Sequence, residues 1–496
     1  MRDVDKNDGE TLSLAQGVSR EYLLYHRVCP VAINNDGALV VATAPDALVP
    51  EALDDLGVAY HKRVVSDETP RHEVERLIAR LTAATAPDNA LTVSRIGDDG
   101  DALVADVRDV ANSAPVAAYV NYLIGEALRA CASDIHLEAV HQGLRVRFRV
   151  DGMLGEAPEA PTGLDAAVIS RLKLMSELDI AERRRPQDGR IRVRMGDREL
   201  DVRVSTVPTL HGESVVLRLL DHGGRPVGLD ALGMPADIRS YVADISRRPH
   251  GMVLVTGPTG SGKTTTLYSA LRLRDASVEK VITIEDPVEY QLAGITQVPV
   301  HTQAGVTFAT ALRSILRQDP DVLMIGEMRD GETAALAVQA AMTGHLVFST
   351  LHTNDALGAI PRLVDLGVPA YLLAATVHAI MAQRLVRRIC PHCKTRLGAS
   401  ENHQRRLLPP GIRDSEVARG TGCAACRGTG YQGRLGVFEL VLVNENMRDA
   451  ITRGAPRGDI ERIAQTSGWQ PFSADAWMKA ARGDTTIEEV LRVIAA

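Results

Sequence analysis

The sequence predicts an α/β multidomain protein: a core built on a parallel sheet, preceded by smaller α/β domains and followed by a cysteine-rich segment and a helical tail. Three observations predict it. Apolar strands at Met252–Thr256, Val281–Glu285, Val322–Gly326 and Leu346–Leu351 alternate with helix-compatible stretches. Such βαβ repetition gives a parallel sheet with helices on both faces. Residues Gly257, Pro258, Thr259, Gly260, Ser261, Gly262, Lys263 and Thr264 form an unbroken G-x-x-x-x-G-K-[ST] run directly after the first of these strands and before a helix start. Two Cys-x-x-Cys pairs, Cys390/Cys393 and Cys423/Cys426, follow the alternating region.

At 496 residues the chain is too long for one hydrophobic core and divides into about three or four domains. Residues 1–82 alternate helical patterns with short strands such as Ala38–Ala42, and end in a helix from Arg71 to Leu81. Residues 83–112, rich in Ala, Asp, Gly and Pro, read as a linker. A second domain spans 113–220: a helix from Ala114, then strands near Ser133–Glu138, Gly143–Val150, Arg190–Met195, Glu199–Ser205 and Ser214–Leu219. Residues 221–235, with four glycines and two prolines, form another joint. The parallel-sheet core is 236–388, the cysteine segment 389–432, and a helical region closes the chain at 433–496. Only 3% of residues are aromatic, so the cores rest on Ala, Val, Leu and Ile. A net charge of −7 gives no global attraction to nucleic acid or anionic lipid. No apolar run reaches the 18 or so residues of a membrane span, and the N-terminus does not read as a signal peptide. The expectation is a cytoplasmic protein that another protein must hold if it works at a membrane.

The strand–loop–helix setting of Gly257–Thr264 separates a phosphate-binding loop from a ligand-free Gly-rich turn. Its glycines let successive N–H groups point at phosphate oxygens, and the following helix N-terminus adds its positive end. Lys263 is expected on the β- and γ-phosphates of ATP or GTP, and the Thr264 hydroxyl on Mg²⁺. Glu327 ends the strand Val322–Gly326 at the edge where parallel sheets gather ligands, and a carboxylate there suits Mg²⁺, a hard cation. The acidic run Glu285-Asp286-Pro287-Val288-Glu289 follows a neighbouring strand. Its acids can orient and deprotonate an attacking water, with Glu285 the favoured base and Glu289 the alternative. His345 and His352 flank the strand Leu346–Leu351, which puts His352 in a position to sense the γ-phosphate.

Arg183, Arg184, Arg185, Arg190, Arg192 and Arg194 cluster in the second domain. A nucleic-acid surface would want interleaved aromatics for stacking; instead Glu182 and Asp188 lie among the arginines. Arg190 and Arg203 are candidates for neutralising transition-state charge from a neighbouring subunit, while Arg183–Arg185 also read as a solvated face. The cysteine pairs, with 29 residues between them, suit a closed tetrahedral Zn²⁺ site, and disulfides do not suit a cytoplasmic chain.

Taken in order, Ala132-Ser133-Asp134-Ile135-His136-Leu137-Glu138, Gln187-Asp188-Gly189-Arg190, the phosphate loop, the 285–289 acids, Gly326-Glu327-Met328-Arg329-Asp330 and Ser349-Thr350-Leu351-His352-Thr353-Asn354 resemble the secretion and pilus assembly ATPases. These are the motors of type II secretion and type IV pili. The match runs from about residue 113 to 440, and the cysteine pairs resemble the branch holding the type II secretion and pilus extension enzymes. The resemblance implies a RecA-like P-loop NTPase core, a PAS-like second domain and a homo-hexamer with ATP between the second and third domains. It implies that Glu285 and Glu289 form an acidic box, Glu327 the Walker B acid, His345 and His352 a histidine box, and Arg190 and Arg203 the arginines brought to the phosphates. It makes Asp134, His136 and Glu138 part of the second domain's structural signature and not a metal site. The N-terminal domain would dock on the cytoplasmic part of an inner-membrane platform protein, with no nucleic-acid partner. About 110 residues before the second domain favour type II secretion over the longer pilus extension enzymes.

Overall fold

The computed structural model describes residues 23–84 (apart from positions 25, 35, 46, 48 and 61), 114–195, 198–221, 227–397, 408–409 and 416–495. Most of the expected linker at 83–112, and residues 222–226 of the one at 221–235, therefore lie outside the described residues. The chain divides into two units, the first formed by the N-terminal 94 residues and the second by essentially all that follows.

In the first unit, strands β1 (Val28–Ile33) and β2 (Leu39–Thr43) pair antiparallel, and β3 (Val64–Glu68) adds parallel to β2. The β1–β2 turn is set by Asn34, whose Oδ1 accepts from the N–H groups of Asp36 and Ala38. A parallel neighbour demands a crossover, supplied here by helix α1 (Val49–Tyr60). Helix α2 (Arg71–Ala84) then packs its Val74 and Ile78 against Val28, Leu39, Val41 and Leu56.

The second unit begins with helix α3 (Ala114–Arg129) and strands β4 (Ala132–Val140), β5 (Gly143–Val150) and β6 (Met153–Glu156). Helix α4 (Asp165–Met175) and strands β7 (Gln187–Met195), β8 (Arg198–Thr209) and β9 (Gly212–Asp221) complete a six-stranded sheet of order β6-β5-β4-β9-β8-β7. Alternation along β4 buries Ile135 and Leu137 and leaves Glu138 to pair with Arg147 across the β4–β5 ladder. Strand β6 is four residues long and was not anticipated from the sequence, because so short a run carries little pattern.

Helix α5 (Ala236–Ile245) leads into a seven-stranded sheet. Its chain order is β10 (Gly251–Thr256), helix α6 (Lys263–Leu271), β11 (Val281–Glu285), β12 (Thr296–Pro299), helix α7 (Phe308–Ile315), β13 (Val322–Ile325), helix α8 (Gly331–Met342) and β14 (Leu346–Leu351). Helices α9 (Ala359–Asp365) and α10 (Ala370–Thr376) precede β15 (Val377–Ile389); the two-stranded ribbon β16 (Lys394–Arg396) and β17 (Ala418–Gly420) comes before β18 (Tyr431–Leu442). The spatial order is β12-β11-β13-β14-β10-β15-β18, parallel throughout except for the β15–β18 pair. β10, β11, β13 and β14 are buried at every residue, as strands covered on both faces should be.

β15 and β18 run across the boundaries read from the sequence at 388/389 and 432/433, so the sheet continues into both flanking segments. These strands carry charges that hide them from pattern reading. Arg384 stacks over Phe472 at 5.2 Å and Arg387 over Tyr431 at 3.9 Å, which lets long cationic side chains sit on a covered strand.

The tail consists of helices α11 (Glu445–Thr452), α12 (Arg457–Thr466), α13 (Phe472–Ala481) and α14 (Ile487–Ile494). α14 is tied to β15 by Glu489, 1% exposed, which accepts from the backbone N–H (2.9 Å) and guanidinium (2.8 Å) of Arg387 and from Arg492. Burial pushes the Glu489 carboxyl up, but these donors pull it down to about 2. Its folded pKa thus lies below the unfolded value near 4.3, so the stabilisation is complete above about pH 5 and is lost as pH falls toward 2. Glu489→Gln should cost on the order of 3 kcal/mol at pH 7, and urea unfolding should show the gap from wild type closing between about pH 5 and pH 2.

Candidate functional site

The phosphate loop leaves β10 through Gly257 at φ +145°, where a Cβ would stand 2.3 Å from the Gln383 carbonyl oxygen of β15. Only glycine allows that approach. Gly262, at φ +86°, is the N-cap of α6. The loop's amides therefore open onto a cavity of about 970 Å³. Lys263 is 9% exposed and donates from Nζ to the carbonyls of Gly257 (2.8 Å) and Pro258 (3.0 Å). Burial drives its pKa down to about 8, opposed by the charge of Glu327. The Ser261 hydroxyl is buried with no hydrogen-bond partner among the described residues. A desolvated ammonium and an orphaned hydroxyl beside a helix N-terminus are what an anionic phosphate would satisfy, so the residues fit a nucleotide. Thr264 lines the same cavity, half-buried.

The sheet's C-terminal edge brings the acids to this loop. Glu327 follows β13 and accepts from Arg329 Nε at 2.7 Å, with His352 Nε2 at 3.3 Å. His352 follows β14, which pairs with both β13 and β10, so its position beside the loop is fixed by strand order. Glu285 ends β11 and is 3% exposed. Its Oε1 accepts from Thr283 (2.5 Å) and Gln297 (3.1 Å) and its Oε2 from the Tyr268 hydroxyl. Both oxygens are thus engaged, whereas Glu289 is half-buried on the cavity wall with Asp286. His345 precedes β14 and bonds the Ala340 carbonyl through Nδ1 at 3.0 Å. A six-residue strand of about 20 Å separates it from His352, so it is absent from the cavity lining.

Arg203, on β8, lines the same cavity as the loop. Burial lowers its pKa, as does Arg190 nearby, while Glu289, Asp201 and Asp286 raise it. Its Nε is buried without a partner among the described residues. Arg190 is exposed and close enough for its charge to be felt at Arg203. Arg183, Arg184 and Arg185 are exposed on a loop outside the cavity lining. That loop is pinned by Gln187, which donates to the carbonyls of Asp179 and Glu182, and by Lys173, which donates to Glu182 O at 2.7 Å.

Sequence reasoning missed Gln383, 2% exposed, which lines the cavity and accepts from Thr266 Oγ1 at 2.7 Å. Nothing in the sequence marks it, because β15 was not recognised as a strand. Arg434 also lines the cavity from the strand β18.

Cys390, Cys393, Cys423 and Cys426 bring their four sulfurs within 4.8 Å of one another. The Cys390–Cys423, Cys393–Cys426 and Cys423–Cys426 separations are 3.9, 3.8 and 3.7 Å. A tetrahedron with Zn–S near 2.3 Å requires sulfurs about 3.8 Å apart, so the set fits Zn²⁺ and is far from disulfide distance. Burial pushes the Cys426 thiol up, but N–H donors from Cys423 and Gly430 pull it to about 6, toward the thiolate a metal needs.

Residues 109–492 match the family described as Type II/IV secretion system protein. Type II secretion system protein E of Xanthomonas campestris is 47% identical over 493 residues, covering 98% of this chain and 86% of that one. The protein of the same name from Pseudomonas aeruginosa is 49% identical over 388 residues, 78% of this chain and 77% of its own. The type IV pilus assembly ATPase PilB of Myxococcus xanthus is 41% identical over 486 residues, 96% of this chain and 85% of its own. Among solved structures, the pilus retraction motor PilT with bound ADP aligns at a TM-score of 0.53 and 27% identity, covering 75% of this chain and 95% of that one. The Legionella pneumophila ATPase DotB aligns at 0.57 and 22%, covering 76% of this chain and 95% of its own, a likeness of fold. With a phosphate loop, sheet-edge acids and a basic neighbouring domain around one cavity, and a family match over most of its length, the chain belongs to the type II/IV secretion system protein family and is one of its ATPases.

Proposed function

We propose that the chain is the motor of a type II secretion machine, converting ATP cleavage into the domain movements that extrude a pseudopilus. One observation carries the nucleotide chemistry: the phosphate loop, Glu285, Glu289, Glu327, His352 and Arg203 all line a single cavity. The higher identity to type II secretion proteins than to PilB supports secretion over pilus extension.

In this reading Gly257–Thr264 cradle the triphosphate, and Lys263 leaves its own loop carbonyls for the β- and γ-phosphates. Thr264 and Glu327 would hold Mg²⁺, which supplies charge neutralisation at the transferring phosphoryl group. Glu289 accepts the proton of the attacking water as its oxygen bonds to the γ-phosphorus. The bond from that phosphorus to the bridging oxygen breaks, and ADP departs with the electron pair. Glu285, held by Tyr268, Thr283 and Gln297, positions the 285–289 turn. His352 reads the γ-phosphate beside Glu327, and Arg203, supported by Arg190, screens its charge. The four cysteines hold Zn²⁺ as a structural clamp. Assembly as a homo-hexamer, and recruitment to the inner membrane through the cytoplasmic part of a platform protein contacted by the N-terminal domain, complete the proposal. No helix among the described residues is long and apolar enough to cross a membrane.

Glu327→Gln should bind ATP with little change yet lose turnover by about 100-fold or more, while Lys263→Ala should weaken binding and turnover together. Near-normal turnover in the Glu327→Gln protein would reject the metal role. Glu289→Gln should lower kcat by about 100-fold or more, and Glu285→Gln should lower the unfolding midpoint, because it disrupts a buried acceptor. Elemental analysis should find about one zinc per chain, and the Cys390→Ser/Cys393→Ser protein should lose the metal and unfold at lower denaturant. Retention of zinc by that protein defeats the ligand assignment.

A further inference from the structure

Beyond His352 the chain passes through Thr353–Gly358 before α9, and this loop borders the phosphate loop. The Thr353 N–H donates to Thr256 Oγ1 at 2.9 Å, and the two hydroxyls lie 2.7 Å apart. On its other side the loop is fastened to the tail. Arg457, at the start of α12, donates to Asp355 Oδ2 at 2.6 Å, while Asp355 Oδ1 accepts from the Gly358 N–H at 2.7 Å. Glu439, 1% exposed on β18, accepts from the Ala356 N–H at 3.1 Å and from Trp469 Nε1 at 3.2 Å on one oxygen. Its other oxygen accepts from the Phe472 N–H, at the head of α13, at 3.3 Å.

Three donors, one from the 353–358 loop and two from the junction of α12 and α13, therefore converge on one buried carboxylate that forms no ion pair among the described residues. An amide could not replace it: three inward N–H groups need an acceptor on both atoms, and glutamine offers a donor on one. Burial raises the Glu439 pKa against the pull of these N–H groups. A buried anion of this kind is an expensive way merely to close a core. The strand that carries it also carries Phe438, paired in register with Gln383 against the phosphate loop.

We propose that Glu439 is a positioning residue for ATP cleavage: its carboxylate fastens the 353–358 loop, and through it His352 and Thr353, to the C-terminal helices, so that loop and helices move as one when nucleotide binds. This rests on the nucleotide reading of the site given above. The Asp355–Arg457 pair is the second fastening of the same loop to the same helices. Trp469 contacts Glu439 directly and so reports on the junction. The other tryptophan, Trp477, lies in a separate apolar cluster with Val386 and Val437.

The test uses the full chain with Trp477→Phe as background, so that emission comes from Trp469 alone. Magnesium and a non-hydrolysable ATP analogue should shift Trp469 emission, and Glu439→Gln should abolish that shift while leaving the zinc content unchanged. In the same protein kcat should fall between about 10- and 100-fold, with KM for ATP held within about twofold. Arg457→Gln, at an exposed side chain, should lower kcat more modestly at unchanged KM. Wild-type kcat in both variants, together with an intact emission shift in Glu439→Gln, overturns the proposal. Should Glu439→Gln fail to fold, unchanged kcat in Arg457→Gln overturns it alone. A wild-type protein that binds the analogue but does not hydrolyse ATP defeats the ATPase reading instead, and the emission measurements still decide the junction.

Discussion

A buried ammonium whose hydrogen bonds go only to loop carbonyls is costly to fold around, and Lys263 is such a group. Its pKa, lowered by burial, records that cost, and the nearest relief is the through-space field of Glu327. The surrounding architecture makes sense as the means of holding this cation ready. β10 is buried along its whole length so that the loop starts from a fixed point, and Gly257 lets the backbone pass under Gln383. The α6 N-terminus adds amide donors beside the ammonium. An arriving triphosphate would find a cation and amides already stripped of water, where each contact is worth most.

Strand order does the rest. Because β11, β13, β14 and β10 are parallel neighbours, each delivers its C-terminal residue to the same edge. Glu285, Glu327 and His352 reach the phosphate loop by that route, and the alternation of strand and helix in the sequence already announces it. The contrast between the two histidines shows how much the strand decides. His345 and His352 differ by seven positions, yet they sit at opposite ends of β14, and only one faces the chemistry.

What the sequence left unread follows a common cause. The motif residues were legible because each requires a particular backbone or a particular strand end. Gln383 and Glu439 were not, since they lie on β15 and β18, where arginines and glutamates interrupt the apolar pattern. Those strands are stabilised by stacking of Arg384 and Arg387 on aromatic rings and by acceptors from distant helices, none of which local sequence reveals. The same holds for the division of labour among the acids. Glu285 and Glu289 are indistinguishable in the sequence, and the convergence of Tyr268, Thr283 and Gln297 on Glu285 appears only in the folded chain. Arg203 lines the cavity of its own chain, and its electrostatic tie to Glu289 and Asp286 appears only in three dimensions.

The cysteine knuckles stand at the tip of the long hairpin formed by β15 and β18, where Ile389 pairs with Tyr431 and the next residue is Cys390. An antiparallel pair that slips by one residue turns every side chain to the opposite face. Gln383 and Phe438 are paired partway down this ladder. The cysteine cluster and the residue that lies beneath the phosphate loop thus belong to one ladder, several residue positions apart, so that whatever fixes the tip shares a register with the floor of the cavity.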